Sequence, residues 1–315
     1  MTAPLPPAVA IAGPTASGKS GLALAVAEEF GGVVVNADSM QVYDVLSVLT
    51  ARPSAADEAR VPHRLYGVLS PAEACSAARW RGMAAAEMRA AWDTGRLPVV
   101  VGGTGLYLRA LQDGLSPIPE VPDAVRTAAR ARLAEVGNAA FHAELAARDP
   151  VMAARLDPGN SQRLVRAFEV IEATGRSLAD WQAVPPEGAV AARWLTLALL
   201  PPRDALYAAC DGRFRRMVEA GALDEVRTLA AMNLPADLPA MKALGVPELA
   251  AHLAGTLPLD QAIAAAQQAT RNYAKRQLTW FRHQLRAPEV VPEQFSESLP
   301  ERIFPFIRRF LLTKV

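Results

Sequence analysis

The residues Gly13-Pro14-Thr15-Ala16-Ser17-Gly18-Lys19-Ser20 fit the pattern GxxxxGK[ST], and the chemistry of that pattern is phosphate binding. Glycines let the backbone wrap a phosphate so that several N–H groups and the positive end of a helix point at it. Lys19 adds a mobile cation and Ser20 a hydroxyl able to hold Mg²⁺. The pattern carries weight only between a strand and a helix. Here the short apolar run Ala8 to Ala12 precedes it, and KSGLALAVAEEF from Lys19 to Phe30 follows with apolar residues at helical spacing and Gly31-Gly32 as a stop. The loop leaves open whether the phosphates belong to ATP, GTP or another diphosphate.

A hydrolase of nucleoside triphosphates should also carry an acidic residue at the end of a later buried strand, but Val99 to Val101 runs into Gly102-Gly103. No NKxD sequence specifies guanine. The carboxylate that does appear is Asp38, just past the β-branched run Val33-Val34-Val35, in Asn36-Ala37-Asp38-Ser39-Met40-Gln41. Ligands of doubly wound sheets bind beyond the carboxyl ends of the strands, which puts Asp38 in the same crevice as Lys19. An Asp-Ser pair is also a common turn or helix cap. Gln41, three residues on, donates and accepts hydrogen bonds as a base edge does. The four histidines form no HExxH or paired spacing that would hold a metal.

These residues need a scaffold, and its elements are legible. Strand, loop, helix, strand over residues 8–35 predicts a βαβ unit of an α/β doubly wound parallel sheet of the P-loop type. A second unit follows in the helix-like stretch Ser76 to Thr94, the strand Leu97 to Val101, the turn Gly102-Gly103-Thr104-Gly105 and a helix from Leu106. Another buried strand is expected at Trp194 to Leu200. Residues 121–185 differ in texture: Ala, Arg, Glu and Leu at spacings of three and four predict several helices and no strand, bracketed by Pro117 to Pro122 and Pro185-Pro186. The expected organisation is therefore a core in two parts, 1–120 and 186–315, with a helical insertion at 121–185. After Pro202 the pattern is helical to about Leu285, with breaks near Asn233 to Pro239 and Gly255 to Pro258.

Composition sets the outer limits. With 51% apolar and 21% charged residues in 315, the chain folds around a large core, leaving disorder to its ends. The net charge of +1 names no partner. Acidic residues outnumber basic ones over 1–120 and the balance reverses over 121–287, which is compatible with RNA. Cys75 and Cys210 match no metal spacing and are expected as reduced thiols. No run approaches the roughly 20 apolar residues that span a bilayer, and no basic segment precedes an apolar stretch at the amino terminus. A cytoplasmic protein with no membrane association is expected, and, without a long heptad pattern, a monomer.

In this order the segments resemble those of the tRNA dimethylallyltransferases, or tRNA isopentenyltransferases. The likeness covers residues 9–285 and rests on GPTASGKS at 13–20, DSMQVY at 38–43, TARP at 50–53, PHRLYGV at 62–68, VGGTGLYLRAL at 101–111, NSQRLVRAFEVIEATG at 160–175, RFRRMVEAGALDEV at 213–226 and AKRQLTWFR at 274–282. Arg52 stands where the family usually has lysine. The resemblance implies transfer of a dimethylallyl group from dimethylallyl diphosphate to N6 of the adenosine next to the anticodon, with pyrophosphate released and Mg²⁺ assisting.

The resemblance also implies roles. Gly13 to Ser20 would hold the diphosphate, with Lys19 and Arg213 as catalytic cations and Asp38 as general base. Asp38, Ser39, Met40 and Gln41 would hold the extruded adenine, with Thr104 at the mouth of the site and Arg276 nearby. Arg126 and the stretch Gln162, Arg163, Leu164, Val165, Arg166 would contact the anticodon stem-loop of the tRNA. On spacing alone these arginines read equally as solvated helix faces. Two other readings compete: a small-molecule or nucleoside kinase, with ATP on the loop and Asp38 deprotonating a hydroxyl, and a nucleotide-binding module without catalysis.

Overall fold

The computed structural model describes residues 4–285 and 289–313 of the chain. The chain runs β1 (Pro7–Ala12), α1 (Lys19–Glu29), β2 (Gly32–Asn36), α2 (Ala55–Arg60), β3 (His63–Arg64), α3 (Ala77–Asp93), β4 (Leu97–Gly102) and α4 (Gly105–Gln112). Four helices follow, α5 (Asp123–Arg148), α6 (Pro150–Arg155), α7 (Ser161–Thr174) and α8 (Leu178–Ala183). The chain then returns through β5 (Arg193–Leu199), α9 (Arg203–Glu219), α10 (Ala222–Ala231), α11 (Val246–Leu253), α12 (Leu259–Gln284), β6 (Glu289–Val291) and α13 (Leu299–Leu312).

The strands form one parallel sheet in the order β3-β2-β4-β1-β5-β6. Every residue of β2 and β4 is buried, because helices cover both faces of a parallel sheet and continuous apolar runs suit that environment. The pleat sorts the strand residues into two layers. Ala8, Ala10, Val35 and Val100 face Trp80, Met88, Tyr107, Leu111 and Phe281. Val9, Ile11, Val34, Val99 and Leu197 face Leu22, Val26, Leu299 and Ile307.

Two compact units result. One runs up to Gln112 and resumes at Val190, and it holds the sheet; the other is Asp113–Ala189. The second unit has its own core of Phe141, Leu145, Leu164, Ala167 and Val170. Its longest helix, α5, is kinked at Gly137, whose φ of 74° is left-handed and breaks the helical ladder.

Four elements lie outside the sequence expectation, one of them the six-residue helix α2. The edge strand β3 has two residues and β6 three, too short for any periodicity. Helix α13 carries Pro305 in its interior, a residue that reads as a helix breaker. It is nonetheless held by Leu299 and Ile307, both fully buried, so this part of the carboxyl-terminal region is a packed element of the core.

The site depends on how closely the carboxyl ends of β2 and β4 approach. A Cβ on Gly102 would lie 2.0 Å from the Ala37 carbonyl oxygen, and Ala37 N–H donates to Val101 O at 2.7 Å while Thr104 N–H donates to Ala37 O at 3.2 Å. A methyl group there must push backbone apart. Gly102→Ala is expected to destabilise the protein by about 1–3 kcal/mol, read as a lower midpoint in urea unfolding; an unchanged midpoint would contradict this packing.

Candidate active site

The loop after β1 adopts the geometry that phosphate binding needs. Ala16 and Gly18 have φ of 63° and 84°, while Ser17 between them stays outside the positive-φ region. Alternating left- and right-handed residues turn successive N–H groups toward one side, which makes a cradle for an anion. Helix α1 adds to it, since Gly18 caps it without a side chain and its first turn holds no acidic residue, leaving N–H groups for a ligand. The opposite side of the loop is tied down. Phe295 N–H donates to Ser17 O at 3.2 Å and Gln294 Nε2 to Ala16 O at 3.2 Å. A Cβ on Gly18 would lie 2.4 Å from Phe295 Cβ. The segment after β6 thus occupies the outward carbonyls of the loop.

Asp38 is positioned by a buried amide. Asn36, at the end of β2, is fully buried; its Nδ2 donates to Asp38 O at 3.0 Å and to Leu65 O at 2.9 Å, and its Oδ1 accepts from Asp38 N–H at 2.8 Å. Met40 N–H donates to Asp38 Oδ1 at 3.0 Å, so the carboxylate caps its own turn while lining a cavity. Thr104 holds the next residue, its Oγ1 accepting from Ser39 N–H at 3.0 Å.

That cavity, of about 260 Å³, brings Asp38, Ser39 and Met40 together with Thr15, Arg213 and Arg276. Arg213 Nη2 donates to Thr15 Oγ1. Lys19 Nζ is 3.4 Å from Pro14 O, which accepts its hydrogen bond. Burial is the main influence on the Lys19 ammonium, lowering it to about 8; the negative charge of Asp38 opposes this and the positive charge of Arg213 adds to it. Burial also lowers Arg213 from its ordinary value, with Asp38 acting against it. Tyr273, another residue of the cavity wall, has its phenol raised first by burial and then by Asp38. One carboxylate and two half-buried cations therefore influence one another, an arrangement that can hold a diphosphate and take a proton beside it.

Other sequence candidates lie elsewhere. Ser20 is exposed at the start of α1 and lines a separate cavity with Arg52, His63 and Tyr66. Gln41 turns its Nε2 to the carbonyls of Thr50 and Ala51, at 2.9 Å each, so its amide NH₂ braces the following turn. In the second unit, Gln162 and Arg163 are exposed and Val165 and Arg166 partly buried, whereas Leu164 is fully buried in the bundle core. Arg166 Nη1 lies 3.6 Å from the buried carboxylate of Glu169, and Arg126 Nη1 3.9 Å from Asp123. Among the described residues no cluster of three or more His, Cys, Asp or Glu side chains could hold a metal, and no helix is long and apolar enough to cross a membrane.

Sequence reasoning gave no role to Asn36 or Gln277, both buried amides at the centre of this network. The only signal in the sequence was their presence inside segments already singled out.

The chain is similar to known proteins along most of its length. The family model described as IPP transferase matches residues 41–284, and that of isopentenyl transferase matches 7–69. The tRNA dimethylallyltransferase of Paramagnetospirillum magneticum is 66% identical over 313 residues, covering 99% of each chain. Among solved structures, the full-length tRNA isopentenylpyrophosphate transferase of Bacillus halodurans is 32% identical with a TM-score of 0.68, covering 97% of this chain and 96% of that one. A eukaryotic dimethylallyltransferase acting on tRNA shares the fold at a TM-score of 0.81 and 23% identity, over 97% of this chain and 79% of that one.

The Lys19 ammonium is charged below pH of about 8 and neutral above it, so an anion that relies on that charge binds less well as the pH rises through this value. Calorimetric titration with inorganic pyrophosphate should show affinity falling more steeply above pH of about 8 in the parent than in Lys19→Met, which lacks the titrating group. Parallel pH profiles would contradict the assignment.

Proposed function

The chain belongs to the IPP transferase family of tRNA dimethylallyltransferases, and from that premise we propose that it transfers the dimethylallyl group of dimethylallyl diphosphate to N6 of the adenosine adjacent to the anticodon in tRNA. The observation that carries this reading is the meeting of Asp38 and Arg213 in one cavity at the carboxyl edge of the sheet, with the half-buried Lys19 close enough for both charges to act on it. The N6 lone pair attacks C1 of the dimethylallyl group, the C1–O bond breaks, and pyrophosphate leaves with the bonding electrons. Lys19, Arg213 and the N–H groups at the start of α1 oppose the charge that develops on the leaving group. Asp38 accepts the proton that N6 sheds.

The adenine must leave its stack to reach this depth. Ser39, Met40 and Thr104 form its side of the pocket, with Gln41 bracing that segment and Arg276 at the exposed edge. Mg²⁺ suits the donor set at the loop, since that ion takes one or two protein oxygens together with phosphate oxygens and needs no all-protein cage. Ser20, with its exposed hydroxyl, would hold the ion, which would supply positive charge to the diphosphate. The helical insertion, residues 121–185, contributes tRNA contacts through Arg126 and the exposed part of Gln162 to Arg166. The protein acts as a monomer in the cytoplasm, a compartment that suits the unpaired thiols Cys75 and Cys210.

Incubation with unmodified tRNA and dimethylallyl diphosphate, followed by mass analysis of the nucleosides, should yield dimethylallyl-adenosine from the anticodon loop. Asp38→Asn should lower kcat by about 10² to 10⁴ while donor and tRNA affinities stay within about threefold. Stabilisation of the protein by ATP, with no prenyl transfer, would favour a kinase instead.

Arg163 is the cleaner probe of RNA contact, because Arg166 neutralises the buried Glu169. Arg163→Ala should raise the tRNA KM and reduce the slope of its salt dependence by about one, leaving donor affinity unchanged. A fall in donor affinity with tRNA binding intact would assign this helix to the donor.

A further inference from the structure

Gln277 is 5% exposed in the middle of α12, and both ends of its side-chain amide are engaged. Its Oε1 accepts from Thr15 N–H at 2.8 Å, and its Nε2 donates to Gly103 O at 2.8 Å. The first bond reaches the phosphate loop and the second the turn after β4. A Cβ on Gly103 would lie 2.3 Å from Gln277 Nε2, so the sequence leaves this space for the amide.

Each anchored residue leads to a reacting group. Thr15 offers its hydroxyl to Arg213. Thr104, next to Gly103, holds Ser39 N–H, and Ser39 adjoins Asp38. Because Gln277 takes the Thr15 N–H, that amide is not among those that cradle the phosphate; its bond sets the direction of the Thr15 side chain instead.

We propose that Gln277 is a positioning residue that sets the placement of Arg213 relative to Asp38 by bridging Thr15 and Gly103. The inference rests on the prenyl transfer reading, in which Arg213 meets the leaving diphosphate and Asp38 the attacking amine. A shift of one loop against the other separates the cation from the base without removing either. An error of about 1 Å in such a pair lowers turnover by up to about a hundredfold.

The test is a double-mutant cycle on the full chain. Gln277→Met keeps the length and volume of the side chain and deletes both hydrogen bonds. Single-turnover transfer should fall about ten- to a hundredfold, with the tRNA KM and pyrophosphate affinity within about threefold of the parent. In an Arg213→Ala background the same change should have less than about a twofold further effect, because the group it positions is already gone. Thermal unfolding of each variant separates this coupling from simple destabilisation. If Gln277→Met does not fold, Thr15→Val removes the hydroxyl that links the bridge to Arg213 and should show the same loss and the same non-additivity. A folded variant with parental turnover, or losses that multiply across the cycle, would overturn the positioning role. A parent protein without prenyl transfer would refute the proposed function and this inference together, whereas an active parent with an indifferent Gln277 refutes the inference alone.

Discussion

Close approach of backbone at the carboxyl edge of the parallel sheet is the constraint on which the site depends. Strands β1, β2 and β4 end side by side, and the segments that leave them must pass within hydrogen-bonding distance of one another. Gly102 permits this against the Ala37 carbonyl, where a Cβ would sit at 2.0 Å. The polar groups brought inward by that approach need partners. Asn36 supplies them at the end of β2 and Gln277 supplies them between the loops. Rigid placement of Asp38 and Thr15 is thus a consequence of satisfying buried amides.

Electrostatics at the site follow from the same burial. Lys19 and Arg213 are both lowered from their ordinary values by loss of solvent, and Asp38 is the carboxylate that opposes the shift in each. Two half-buried cations close together repel one another. The ion pair of Arg60 with Glu28 is solvent-exposed on both sides and contributes little by comparison.

The phosphate loop is held from behind as well. Gln294 and Phe295 bind the carbonyls of Ala16 and Ser17, so the peptide groups have their oxygens occupied on one side and their N–H groups turned to the other. That strap follows β6 and precedes α13, which packs against the same sheet face as α1. This late segment of the chain, far from the loop in sequence, is part of what holds the loop's backbone in place.

Local pattern carried the scaffold and the loop. Runs such as Val33-Val34-Val35 and Val99 to Val101 are buried strands because β-branched residues suit a sheet covered on both faces, and the GxxxxGK[ST] spacing places Lys19 in the first turn of a helix wherever it follows a strand. Asp38 was legible because it stands at the end of such a strand. Pattern could not show β3 or β6, whose two and three residues are specified by a neighbouring strand alone, nor α13, whose Pro305 argues against a helix until Ile307 is buried. It gave Gln41 a base to read where the fold gives its NH₂ two backbone carbonyls, and it grouped Leu164 with exposed neighbours although its side chain is in a core. Gln277 is 262 residues from Thr15. A hydrogen bond across that separation exists only once the sheet has brought both ends together, so the partner of a buried amide is decided by the tertiary structure, while the spacing of the glycine-rich loop between a strand and a helix was already determined by the sequence.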